Sequence, residues 1–108
     1  MSLDQTSSVS LAQALIRCAS VTPEEGGALS FLDGLLSEAG FTVSRPVFSE
    51  AGTPDIENLV ARIGTQGPCL LVAGHTDVVP TGEPSAWSHG PFSGEITDGL
   101  LYGRGAVD

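Results

Sequence analysis

His75 and Asp77 stand two residues apart, just past a short apolar run, Cys69-Leu70-Leu71-Val72-Ala73. A neutral imidazole can give one ring nitrogen to a divalent cation, and a carboxylate can take the other ring N–H. In an extended segment residues i and i+2 point the same way. Asp77 is therefore placed to orient His75, fix its tautomer and raise its basicity as a ligand. A further carboxylate, Asp108, closes the stretch Asp98-Gly99-Leu100-Leu101-Tyr102-Gly103-Arg104-Gly105-Ala106-Val107-Asp108. Its glycines read as a tight backbone path that carries a carboxylate where bulkier residues would collide. Imidazole and carboxylate together suit a metal site, and carboxylates are natural bridges between paired ions. Taken alone, His75 and Asp77 are better read as a strand-end histidine bonded to a loop carboxylate.

Other residues invite chemistry and are better read as structure. Gly103-Arg104-Gly105 lacks the third glycine and the strand–turn–helix setting of a dinucleotide fingerprint. Arg104 either orients Asp108 or pairs with a neighbouring acid. Trp87 reads as an anchor pinning its loop against the sheet, because one aromatic side chain buries a large area. Cys18 and Cys69 read as core residues rather than ligands or disulfide partners, since free cysteine is among the most buried types.

These residues need elements to hold them. Ser8 or Ser10 can cap a helix reaching about Ala19, with Leu11, Ala14, Leu15 and Cys18 on one face. Thr22-Pro23-Glu24-Glu25 has the form of a capping box with proline at the first helical position. Gly26-Gly27 interrupts it, so regular helix starts near Ala28 and carries Phe31, Leu32, Leu35, Leu36 and Ala39 to a cap at Gly40. Strands follow at Phe41–Phe48, broken or placed at an edge by Pro46, and at Asn58–Ile63. Ser49–Glu57 reads as loop. Cys69–Ala73 has no polar alternation, which predicts a strand buried on both faces. An aspartate at Leu71 would then leave a buried unpaired charge. Val78–Phe92 is a long irregular excursion, and Asp98-Gly99 signals a hairpin turn between Glu95 and Tyr102. The fold class expected is α/β, with helices packed on a mixed sheet whose centre is parallel. His75 and Asp77 would lie at the carboxyl end of a strand, where open α/β sheets bind ligands.

Composition limits the function classes. In 108 residues there are thirteen acidic side chains against four arginines and no lysine, a net charge of −9. A surface of that sign disfavours nucleic acid and anionic membrane. No apolar run approaches the roughly eighteen residues of a membrane span. Met1–Ser7 reads as a frayed lead-in with no secretory signal, so the reducing cytoplasm is the expected compartment.

Gly74-His75-Thr76-Asp77-Val78-Val79-Pro80, then Trp87, then Pro91-Phe92, then Asp98-Gly99-x-x-Tyr102-Gly103-Arg104-Gly105-x-x-Asp108 occur together and in order. That combination resembles the zinc aminoacylase/carboxypeptidase (M20) superfamily of co-catalytic metallohydrolases, from the first helix to Asp108. The resemblance implies a zinc-aminopeptidase-like catalytic domain, of which residues 1–108 are an amino-terminal portion. The rest of that domain and a dimerisation domain would lie beyond. It implies two zinc ions per complete subunit, with cobalt as a possible substitute, His75 on one metal and Asp108 bridging both. Asp77 takes the catalytic role of orienting His75. The general base and remaining ligands would lie after Asp108. His89 matches no ligand position and reads as a solvated loop histidine. The implied substrate is a small N-acyl amino acid, and the implied assembly a homodimer. Other amidohydrolases of the superfamily, and a non-catalytic binding domain of the same fold, are the competing readings. The 108 residues alone are expected to be inactive and to bind zinc weakly, since zinc sites take three or four protein ligands.

Overall fold

The computed structural model describes residues 7–108. The reading of Met1–Ser7 as a frayed lead-in without a secretory signal lies outside the described residues except at Ser7, which is not frayed. Helix α1 spans Ser8–Ile16. Its cap is Ser7 rather than the expected Ser8 or Ser10, and the Ser7 hydroxyl accepts the Ser10 N–H at 3.3 Å. The helix stops short of Ala19 because its last turn tightens: Cys18 N–H returns to the Leu15 carbonyl at 3.0 Å. The chain then runs extended through Ser20 and Val21, where Val21 forms a parallel bridge with Val78.

Helix α2 spans Ala28–Glu38. Thr22 does not cap it. Its N–H bonds the Val78 carbonyl at 3.1 Å, so Thr22 belongs to the bridge. Gly26 and Gly27 both sit at positive φ, 60° and 92°, and a helix cannot run through that conformation. Capping moves instead to Glu25, whose carboxylate accepts the N–H groups of Gly27, Leu29 and Ser30 at 3.0, 2.8 and 3.4 Å. Negative charge at a helix N-terminus is favourable. Glu25→Ala is expected to lower stability by about 1–2 kcal/mol, read as a lower denaturant midpoint with unchanged slope. At the other end Gly40, with φ 92°, follows Ala39. Gly40 N–H bonds Ser37 O at 3.0 Å and Phe41 N–H bonds Leu36 O at 2.9 Å, the paired bonds of a Schellman end.

The strands form three antiparallel pairs. Strand β1 (Thr42–Ser44) pairs with β4 (Val60–Arg62), β2 (Val47–Phe48) with β3 (Ile56–Glu57), and β5 (Glu95–Thr97) with β6 (Leu100–Tyr102). Pro46 separates β1 from β2 as expected of a residue without an N–H. The expected strand at Asn58–Ile63 is shortened to β4, since Asn58 N–H turns to the Pro46 carbonyl at 2.8 Å. The end of the expected 49–57 loop is strand β3. Between β5 and β6, Asp98 and Gly99 both have positive φ, 52° and 77°, as the predicted two-residue hairpin turn requires.

The mixed helix–strand composition matches the expected class, but the parallel centre is not formed among the described residues. Cys69–Ala73 is in no strand. Leu70, Leu71 and Val72 are 88%, 85% and 84% exposed. Apolar side chains reach two-sided burial only when neighbours pair with both backbone edges and cover both faces, and no described strand does so. An aspartate at Leu71 therefore buries no charge here. The core is correspondingly small: Ile16, Ala28 and Leu29 are its buried apolar members. The radius of gyration is 15.7 Å, against about 13 Å for a compact chain of this length.

Candidate metal centre

The His75–Val78 segment is held by the chain just after α1. Val78 N–H bonds Ser20 O at 2.9 Å, and Ser20 Oγ donates to Thr76 O at 2.7 Å. Ser20 is 2% exposed, and its bond to Thr76 is partly shielded from water. No sequence signal marks Ser20, because its partner lies 56 residues away. The anchored segment presents His75 with Nδ1 3.1 Å from the Asp77 carbonyl and 3.2 Å from Asp77 Oδ1. Both neighbours are acceptors, so Nδ1 carries the proton, and in the neutral imidazole Nε2 then keeps its lone pair. The hydrogen bonds from the Asp77 carbonyl and carboxylate, and then the charges of Asp108 and Asp77, raise the His75 pKa above its ordinary 6.5.

Asp108 reaches the same place from the opposite end of the chain. Its Oδ1 lies 3.8 Å from His75 Nε2. The turn that carries it is closed by Ala106 N–H to Gly103 O and Asp108 N–H to Gly105 O, each 3.2 Å. Gly103 lies where a Cβ would stand 2.2 Å from Ile16 Cγ2, and a Cβ on Gly105 would stand 2.7 Å from Val78 Cγ1. The glycines thus let the turn press against α1 and against the His75 segment, which is the close path read from the sequence. Gly103→Ala is expected to cost about 1–3 kcal/mol through overpacking against Ile16, measured by urea unfolding.

The described residues fit part of a metal site. Nε2 of His75 and a carboxylate oxygen of Asp108 lie 3.8 Å apart. Ligand bonds of about 2.0–2.2 Å to zinc could span their separation. Among the described residues no third histidine, cysteine or carboxylate joins them. A cleft of about 170 Å³ lies between α1 and this pair, lined by Leu15, Ile16, His75, Val78, Arg104 and Asp108. A wider groove of about 420 Å³ on the other side meets His75 and Asp77 as well as Glu25, Leu29 and Glu57.

The remaining candidates fall elsewhere. Trp87 donates its indole N–H to the Thr81 carbonyl at 3.0 Å, so it pins the loop to itself rather than to a sheet. Among the described residues, Arg104 neither touches Asp108 nor pairs with an acid. Its guanidinium lies 5.0 Å over the Trp87 ring, and Nη2 donates to Thr81 O at 3.4 Å. Its Nε is buried without a partner, at a cost of about 1–3 kcal/mol. His89 is not solvated as expected. Its Nδ1 is 2.9 Å from Glu95 Oε2 and its ring lies 3.9 Å from that of Tyr102, while the histidine bond lowers the Glu95 pKa. Cys69 is exposed, contrary to a core position, because its segment is unpaired. Cys18 is half-buried, and burial and then Glu25 raise its pKa.

Comparison with known proteins bears on the same residues. Residues 71–108 match the model of peptidase family M20/M25/M40. The chain is 76% identical over 106 residues to the succinyl-diaminopimelate desuccinylase of Methylorubrum populi, covering 98% of this chain and 27% of that protein. It is 68% identical over 102 residues to that of Methylobacterium nodulans, covering 94% and 26%. To that of Nitrobacter hamburgensis it is 60% identical over 103 residues, covering 95% and 26%. The chain spans about a quarter of the length of the curated relatives it matches. His75, Asp77 and Asp108 all fall in the segment that carries the peptidase family M20/M25/M40 pattern, in a chain similar along nearly all its length to proteins named succinyl-diaminopimelate desuccinylase.

Proposed function

We propose that the complete polypeptide hydrolyses the amide bond of N-succinyl-L,L-2,6-diaminopimelate to succinate and L,L-diaminopimelate, a step toward lysine and cell-wall precursors. The observation that carries this reading is the similarity over 98% of the chain to a protein named for that reaction. The paired placement of His75 and Asp108 supports it. In this reading two zinc ions, or cobalt in their place, bind between His75, Asp108 and ligands from polypeptide beyond these residues. When bound, such ions supply Lewis acidity, polarising a carbonyl and making water acidic near neutral pH.

This chain's own residues do the positioning. His75 presents Nε2, Asp77 holds the Nδ1 proton and the ring plane, and Asp108 would supply the carboxylate shared by the ions. The Cys69–Ala73 run takes strand partners from the same further polypeptide, completing a zinc-aminopeptidase-like sheet with a parallel centre. That would bring His75 to the carboxyl end of a buried strand. A homodimer in the cytoplasm completes the proposal; no helix among the described residues is long and apolar enough to cross a membrane.

The test is kcat/KM of the complete, metal-loaded protein for N-succinyl-L,L-diaminopimelate and for N-acetylornithine. A site built to bond a polar group rejects analogues lacking it, so the succinylated compound should be preferred. A ratio at or below one moves the reading to acetylornithine deacetylase or another aminoacylase. No hydrolysis of either compound leaves another aminoacylase of different substrate or a binding domain.

A further inference from the structure

We infer that Arg104 is a positioning residue for the metal pair, acting through Trp87 and Thr81 to set the distance between Asp108 and His75. The inference rests on the metal-site reading above. Asp108 cannot hold itself in place: its side chain is 91% exposed and its nearest charged partner is His75 at 3.8 Å. Its position is therefore set by the turn it ends. That turn has one long side chain reaching back to the loop that follows His75, and it is Arg104. The guanidinium stacks 5.0 Å over Trp87, and Nη2 reaches Thr81 O at 3.4 Å. The same Thr81 carbonyl accepts the Trp87 indole N–H at 3.0 Å, so two donors converge on one acceptor.

The backbone of Arg104 is fixed too, its N–H bonding Pro91 O at 2.7 Å. Arg104 thus joins both limbs of the Val78–Phe92 excursion to the turn bearing Asp108. Three residues before Thr81, Val78 is bonded to Ser20 and Thr22, and this is the anchor of His75. The clamp and the anchor share one short stretch of chain, so a change in the clamp moves Asp108 relative to His75. A planar cation suits this task, because it stacks on an aromatic face while its N–H groups donate in plane. No direct bond to Asp108 is needed, which leaves both carboxylate oxygens free for metal.

The experiment uses the complete protein with Zn(II) and Co(II), measuring affinity by chelator competition and the cobalt site by its visible absorption. Arg104→Met and Trp87→Leu are each expected to weaken binding by roughly 10-fold or more, the scale of losing an orienting partner, and to alter the cobalt spectrum. Trp87→Phe keeps a face for the guanidinium but loses the indole donor, and should restore much of the affinity. Gly52→Ala, which strains the backbone in the loop between β2 and β3, serves as comparator and should leave the spectrum unchanged. Affinity within twofold of the unmodified protein and an unchanged spectrum in Arg104→Met overturn the inference. So does an equal spectral change in Gly52→Ala. If Arg104→Met does not fold, Trp87→Leu decides by the same two readouts. Absence of metal binding by the unmodified protein overturns the metal-site reading, and the inference with it.

Discussion

Asp108→Asn in the complete protein is expected to release both metals and abolish hydrolysis, whereas Asp77→Asn keeps the metals and loses rate. The difference follows from what each carboxylate touches. Asp108 faces Nε2, the nitrogen left free for metal, and in the proposed site its two oxygens serve two ions. An amide has no charge to offset two divalent cations. Asp77 instead meets Nδ1, with two acceptors, its carboxylate and its own backbone carbonyl. The carbonyl survives substitution, and an asparagine oxygen still accepts the Nδ1 proton. The ring therefore keeps its tautomer and plane and loses only the negative charge behind it. Changes of that kind cost about 10- to 100-fold in affinity or activity, and loss of the bridge should exceed that range. Elemental analysis beside steady-state rates separates the two. Equal metal loss in both variants would remove the division of labour.

The second large effect is on folding. Gly26→Ala is expected to cost about 2–5 kcal/mol, combining a left-handed backbone with overlap. A Cβ there would stand 2.4 Å from both the carbonyl carbon and oxygen of Ala19 and 2.7 Å from Ser20 N. Those atoms are backbone and cannot rotate away as a side chain can. They also lead into Ser20, whose carbonyl and hydroxyl hold Val78 and Thr76. Shifting Ser20 should thus loosen His75 as well as the fold. Gly52→Ala isolates the two causes. Its φ is +86° but nothing lies within 4 Å of the added carbon, so it carries backbone strain alone. If both variants unfold at the same urea concentration, the Ala19 contact contributes nothing.

Local features were legible in the sequence where one short stretch decides them. The hairpin at Asp98-Gly99 needs only two residues able to adopt positive φ. The α2 stripe and its Gly40 end need only helical spacing and a glycine. The break at Pro46 needs only a missing N–H. Misplacements came where distant residues competed for the same groups. Thr22 looked like a cap, but its N–H is taken by Val78, and the cap passed to Glu25. Cys69–Ala73 looked like a buried strand because its side chains are apolar. Apolarity states a preference for burial, not the presence of partners, and among the described residues that preference is unmet.

Residue chemistry and spacing by themselves determined that His75 and Asp77 act as a pair, since two residues of extended chain suffice to bring them together. They also determined that glycines would lead the chain tightly to Asp108. Only the tertiary structure decided that Asp108 comes within 3.8 Å of Nε2, that Ser20 anchors the histidine segment, and that Arg104 lies on Trp87 rather than on Asp108. Each of these depends on contacts between residues far apart in sequence. Such contacts are set by how helices and loops pack, through overlaps as small as a missing Cβ at Gly103 or Gly105, and no local pattern of residue types encodes that packing.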